Sequence, residues 1–231
     1  MPRPSSQNIS QLMVLPLVIA SIVSLPDTID WTAKGIVPPV KNQGAMGNSL
    51  VVVAAEAVES ASSIASGAAP VFLSDQEILD CADSTMDWTD VFGFVEANGL
   101  CSAANYPTSV GPGTCHKTTC QPAARISSFG TVPVGNETAL MEAVASGPVA
   151  AFIDASQLPV YMGGVVTSCP DPPQLDHTVL IVGYGRDGTT DTDFWKVMNS
   201  WGASWGEQGY VRVARGSNLC GIASGAAFVR V

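Results

Sequence analysis

The sequence predicts an α+β protein of two lobes, helical in its first half and strand-rich in its second. Three observations carry that expectation. Apolar residues recur at i, i+3 and i+4 spacing from Leu50 to Ile64. Beyond Gly147-Pro148, short runs alternate in the strand manner between Gly, Asp and Pro turns. With 231 residues, 46% of them hydrophobic and only 13% charged, the chain can bury a sizeable core.

In chain order, 26–40 reads as an extended lead-in, broken by Gly35 and Pro38-Pro39. The stretch Asn42-Gln43-Gly44-Ala45-Met46-Gly47-Asn48-Ser49-Leu50 follows and feeds a helix at 51–66. Such a junction offers backbone N–H groups and the positive end of a helix dipole, so it suits a reactive side chain or an oxyanion. Ser49 sits there, although Ser is also an ordinary helix N-cap. One face of this helix, through Leu50, Val53, Ala54, Ala57, Ala61 and Ile64, is expected to be buried, with Gly67 as its stop.

Ser74-Asp75-Gln76-Glu77 is a capping box that opens a second helix carrying Ile78, Leu79 and Cys81. A third runs over 88–98 and ends at Gly99. The Gly-, Pro- and Cys-rich 100–122 reads as a disulfide-tied loop region, followed by a crossing between lobes at 124–133. Asn136 caps a fourth helix that ends before Gly147-Pro148. Strands are expected at 149–153, 177–184, 194–199, 210–214 and 227–231.

Ten basic against twenty acidic residues give a net charge of -10. That argues against nucleic acid and anionic membranes as partners, since both need a basic face. Six cysteines suit an oxidising compartment. Residues 1–24, with Arg3 before an apolar run at 12–23, read as a secretory signal peptide. The run is shorter than the about 20 residues a spanning helix needs, so no stable membrane span is expected. The sequons at Asn8 and Asn136 are compatible with secretion, Asn136 being the glycosylation candidate.

The chain has two histidines, His116 and His177. His116 lies in the Cys-rich loop without enough further ligands for zinc, so no metal and no cofactor is expected. His177 begins an apolar strand, and Asn199-Ser200-Trp201-Gly202-Ala203-Ser204-Trp205-Gly206 follows. A nucleophile position, a His and an Asn, in that order and well separated, is the arrangement of a Cys-His-Asn hydrolase.

From about residue 25 onward the chain resembles the papain/cathepsin family of cysteine peptidases. The residues that carry the resemblance are Asp30-Trp31, Val40-Lys41-Asn42-Gln43-Gly44, Leu73-Ser74-Asp75-Gln76-Glu77, Asp80-Cys81, Gly147-Pro148-Val149, Asp176-His177, Val182-Gly183-Tyr184-Gly185 and the block from Asn199 to Gly206. The resemblance implies a helical left lobe (about 34–130) and a barrel-like antiparallel right lobe (about 131–231, with 25–33), the cleft lying between them. It implies Gln43 as an oxyanion-hole side chain, His177 as base and acid, Asn199 as orienter of the imidazole and Trp201 as the shield of that bond. It also implies bridges Cys81–Cys115 and Cys169–Cys220, with Cys101–Cys120 as a hypothesis for the third.

The departures point elsewhere. The family motif Q-G-x-C-G-x-C-W has its nucleophile at the second Cys, where this chain has Ser49. Trp has become Leu50, and the other Cys has become Met46. The G-C-x-G-G loop after Asp-Cys is replaced by Ala82-Asp83-Ser84-Thr85-Met86-Asp87. A serine hydroxyl has no standing anion, so very low or absent peptidase activity is expected, with action by binding a peptide or protein in the cleft as a monomer. One alternative is residual hydrolysis by Ser49, His177 and Asn199. Two others are a condensation activity similar to that of the sponge silicateins and an ordinary active member with an altered sequence. The few residues ahead of the domain, where the family carries a long inhibitory prosegment, fit an inactive protein. The secretory route places it outside the cell or in a lysosome or vacuole.

Overall fold

The computed structural model describes residues 24–44, 48–82, 87–116 and 120–231. Its helices are α1 (Ser49–Ser66), α2 (Asp75–Cys81), α3 (Trp88–Asn98) and α4 (Glu137–Ser146). The strands are β1 (Ile29–Asp30), β2 (Ser128–Thr131), β3 (Val149–Ile153), β4 (Val165–Val166), β5 (His177–Arg186), β6 (Asp193–Met198), β7 (Tyr210–Ala214) and β8 (Ala226–Arg230). They form one open sheet in the order β2-β8-β3-β5-β6-β7-β4, with β1 added to β5. Its pairings are antiparallel except for β4 with β7.

β5 is the centre of the sheet, and its side chains alternate between two cores as strand geometry requires. Val179 and Ile181 join α4's Leu140 and Val144 on one side. Leu180 and Val182 join α1, α2 and α3 on the other. A strand buried on both faces reads as the continuous apolar run 179–182. Gly183 is required where β1 docks, because a Cβ there would stand 2.1 Å from the Ile29 carbonyl oxygen.

α1 departs from the expected one-sided burial. Every residue from Val51 to Val58 is buried, whereas Ile64 is exposed. The helix lies between the other helices and the sheet, so its small Ala side chains meet neighbours all round. Among the described residues it is the helix long and apolar enough to cross a membrane, but two-thirds of it is buried in this core.

β1, β2 and β4 were not legible as strands in the sequence. Two of them are two residues long, and β2 exists because Phe129 and its neighbours pair with Val229 and its neighbours a hundred residues away. Disulfides join Cys81 to Cys115, Cys101 to Cys120 and Cys169 to Cys220. The first two tie down the loop region after α3, and the third ties the loop at Cys169 to the short turn between β7 and β8 that holds Cys220.

Candidate active site

Asn48, not Ser49, caps α1: its side-chain oxygen accepts from the N–H groups of Leu50 and Val51. Ser49 is therefore the first residue of the helix, which leaves its hydroxyl available to other partners. Asn48 has the extended backbone of a cap, φ -111° and ψ 92°, whereas Ser49 is already helical. Ser49 Oγ accepts a hydrogen bond from the Thr178 backbone N–H at 3.2 Å, which puts it beside the first residues of β5. Among the described residues, no hydrogen bond joins Ser49 to His177.

His177 opens β5, and Asn199 follows directly on β6. Both are buried, and His177 Nε2 lies 2.8 Å from Asn199 Oδ1. The same oxygen accepts from the Ser200 backbone N–H at 2.8 Å. A backbone N–H can only donate, so the atom facing His177 is the amide oxygen, and Nε2 must carry the proton. Nδ1 is then the basic nitrogen.

Burial lowers the pKa of His177 from its ordinary 6.5, and the bond to Asn199 and the charge of Asp176 oppose that shift. Asn199→Ala removes a group that favours the imidazolium. An NMR titration is expected to place the His177 midpoint below 6.5 in the parent protein and lower still in the variant. A midpoint that rose on substitution would contradict this account of the pair.

The Trp201 ring lies 5.1 Å from the imidazole, tilted by 40°, and meets Trp205 edge-on at 5.2 Å. Trp205 is pinned by its indole N–H to the Leu158 carbonyl. Trp201 thus lies against one side of the imidazole, with Trp205 behind it edge-on.

Gln43 is brought in by a short backbone pairing between 41–43 and 200–202. The Gln43 N–H donates to Ser200 O at 2.8 Å and the Gly202 N–H to Lys41 O at 3.0 Å. Gly202 adopts a left-handed φ of 84°, and a Cβ there would crowd the Asn42 side chain. The Ser200 hydroxyl donates to Gln43 Oε1 at 2.5 Å, so the amide NH₂ is the end left to donate to a ligand.

The structure thus brings Ser49, His177, Asn199, Trp201 and Gln43 to one interlobe location through β5, β6 and the start of α1. Asn136 is elsewhere, an exposed N-cap of α4 whose side chain accepts from Ala139 N. His116 is in the loop after α3, its N–H donating to the Tyr106 hydroxyl. The candidate metal cluster Glu77, Cys101 and Cys120 has both sulfurs in a disulfide. A cavity of about 570 Å³ between the end of α1, α4 and β8 contains none of the site residues. Met46 and 83–86 lie outside the described residues, as do 1–23 with the signal-peptide segment and Asn8.

A sequence profile described as "Papain family cysteine protease" matches residues 25–230. The chain belongs to that family. It is 40% identical to fruit bromelain of Ananas comosus over 225 residues, covering 94% of this chain and 64% of that protein. Macrodontain-1 of Ananas macrodontes is 39% identical over 211 residues, covering 87% of this chain and 96% of its own. Among solved structures, the bromelain protease of Ananas comosus in complex with an inhibitor matches with a TM-score of 0.83 at 36% identity, over 89% of this chain and 99% of that one. A digestive procathepsin from Tenebrio molitor larval midgut matches with a TM-score of 0.84 at 37% identity, over 91% of this chain and 70% of that one. The papain-like two-lobed α+β fold is therefore shared with proteases. The chain spans just under two-thirds of the length of fruit bromelain.

The sequence reading missed Thr178 and Ser200. Both act through a backbone N–H, which carries no residue-type signature, and Ser200 also through a hydroxyl whose partner Gln43 lies 157 positions away.

Proposed function

We propose that this papain-family protein is a pseudopeptidase of the secretory route, extracellular or vacuolar, that binds a peptide or protein segment in its cleft and turns it over very slowly or not at all. The observation that carries the reading is Ser49 itself, at the position of the family's nucleophilic Cys, with its Oγ held by the Thr178 N–H. A thiol of ordinary pKa ~8.5 can be brought to roughly 3.5–7.5 at a helix N-terminus beside an imidazolium. An aliphatic hydroxyl gains no comparable anion and needs its proton taken during attack. A site shaped for sulfur places a shorter C–O bond poorly, and a misplacement of ~1 Å can cost about 10²-fold. In this reading Gln43, His177, Asn199 and Trp201 keep their family positions as a binding and structural remnant, within lobes at about 34–130 and 131–231.

A second reading is favoured by the intact pair of His177 and Asn199 at 2.8 Å: residual hydrolysis through Ser49, with His177 Nδ1 as base. Assays of the protein on peptide and activated ester substrates separate the two. Rates at the buffer background, unchanged in His177→Ala, are the expected result. A rate well above background that His177→Ala abolishes would establish the hydrolase instead.

A further inference from the structure

α1 carries, two turns below Ser49 and on the same face, a carboxyl group that the site does not use. Glu56 is 1% exposed in the middle of the apolar core. Among the described residues no side chain hydrogen-bonds to either of its oxygens, and the one donor set against the carboxyl is the backbone N–H of Lys41, too poorly aligned to count as a formed bond. The nearby cation, Lys41, is engaged: its Nζ lies 2.8 Å from Glu59 Oε1. Glu59, one turn on, is itself fully buried and also accepts from the Leu73 N–H.

Four groups face Glu56 from the elements packed around it. They are Glu59 on its own helix, Lys41 from the segment that leads to Gln43, Asp75 at the start of α2 and Tyr210 on β7. Three carboxyls thus share one ammonium in a largely buried space. An ionised carboxylate offered no more than one weak backbone donor in such a place costs several kcal/mol, so the group keeps its proton instead.

We propose that Glu56 is a proton-operated latch: the fold accepts it as the neutral acid, and loss of that proton unlocks α1, the helix that carries Ser49. Lys41 makes the consequence local to the cleft, since its carbonyl accepts from Gly202 and the next residues carry Gln43. The protein is then built for acidic surroundings, which agrees with, and does not depend on, the pseudopeptidase reading.

The sign follows from linkage. Burial pushes the Glu56 carboxyl from 4.5 up to about 8, with Lys41 opposing and Glu59 and Asp75 adding to the rise. An unfolded chain releases this proton near the ordinary value, whereas the folded one holds it. Stability is therefore full below the unfolded pKa and is lost as pH rises through the folded one.

Two measurements test the latch. An infrared spectrum of the protein at neutral pH is expected to show a protonated carboxyl band that disappears reversibly in mild alkali. Absence of that band at neutral pH would overturn the proposal, whatever the variants do. In scanning calorimetry the unfolding midpoint is expected to fall by on the order of 10 °C more than that of Glu56→Gln between about pH 5 and about pH 9. Gln keeps the shape and removes the titration. Superimposable pH profiles for the two proteins would also overturn the proposal.

Discussion

Ser49→Cys is expected to raise peptide turnover by ~10²-fold or more above the parent protein. The substitution places a thiol on the first residue of α1, where the helix N-terminus favours an anion. His177 already has its Nε2 proton committed to Asn199, so Nδ1 is the nitrogen that can accept the thiol proton. Gln43 presents an amide NH₂ whose orientation is set by the Ser200 hydroxyl. A standing thiolate–imidazolium pair removes the step at which serine fails. The check is turnover of a fluorogenic peptide together with labelling by a thiol-directed active-site probe. A folded variant that reacts with the probe and yet leaves the peptide uncut would mean that the cleft no longer holds a peptide. It would overturn the binding role proposed for this chain.

Lys41→Met is expected to destabilise the fold by about 3–5 kcal/mol, the usual range for removing one partner of a buried ion pair. Glu59 is held by Lys41 Nζ and by the Leu73 N–H on one oxygen, while its other oxygen has no partner among the described residues. Burial works against the Lys41 charge, but Glu59 and Glu56 outweigh it and raise its pKa, so the ammonium is the form present. Without it, the buried Glu59 carboxylate has no counter-charge, and the protonated Glu56 one turn away supplies none. The loss is read from urea unfolding at neutral pH, and Lys41→Met combined with Glu59→Gln is expected to recover most of it. A single variant as stable as the parent would mean that the pair contributes nothing to the fold.

The two expectations differ in how they could be foreseen. The candidate site residues were legible because the family motifs spell them out: Gln43 in Asn42-Gln43-Gly44, His177 after Asp176, Asn199 before Ser200-Trp201. The ion pair was not. Lys41 and Glu59 are 18 positions apart, and nothing in either stretch marks Glu59 as more buried than a surface glutamate.

Capping shows the same limit at short range. Asn48 and Ser49 are both good N-cap residues, and only backbone geometry distinguishes which of them caps α1. The difference matters because it decides what the Ser49 hydroxyl can do.

By itself the sequence determined the α+β class, the order of α1–α4 and the long strands β3, β5, β6 and β7. It also supplied the chemical types at the site and the exchange of Cys for Ser. These are written in local periods of 3.6 and 2, in caps and stops, and in short motifs. Only the tertiary structure decided the pairing of β2 with β8, the bond from Thr178 to Ser49, the tautomer of His177 and the burial of Glu56 without a side-chain hydrogen bond. Each of these depends on which distant atoms pack together and which are shut away from water. No residue carries that information until the chain has closed around it.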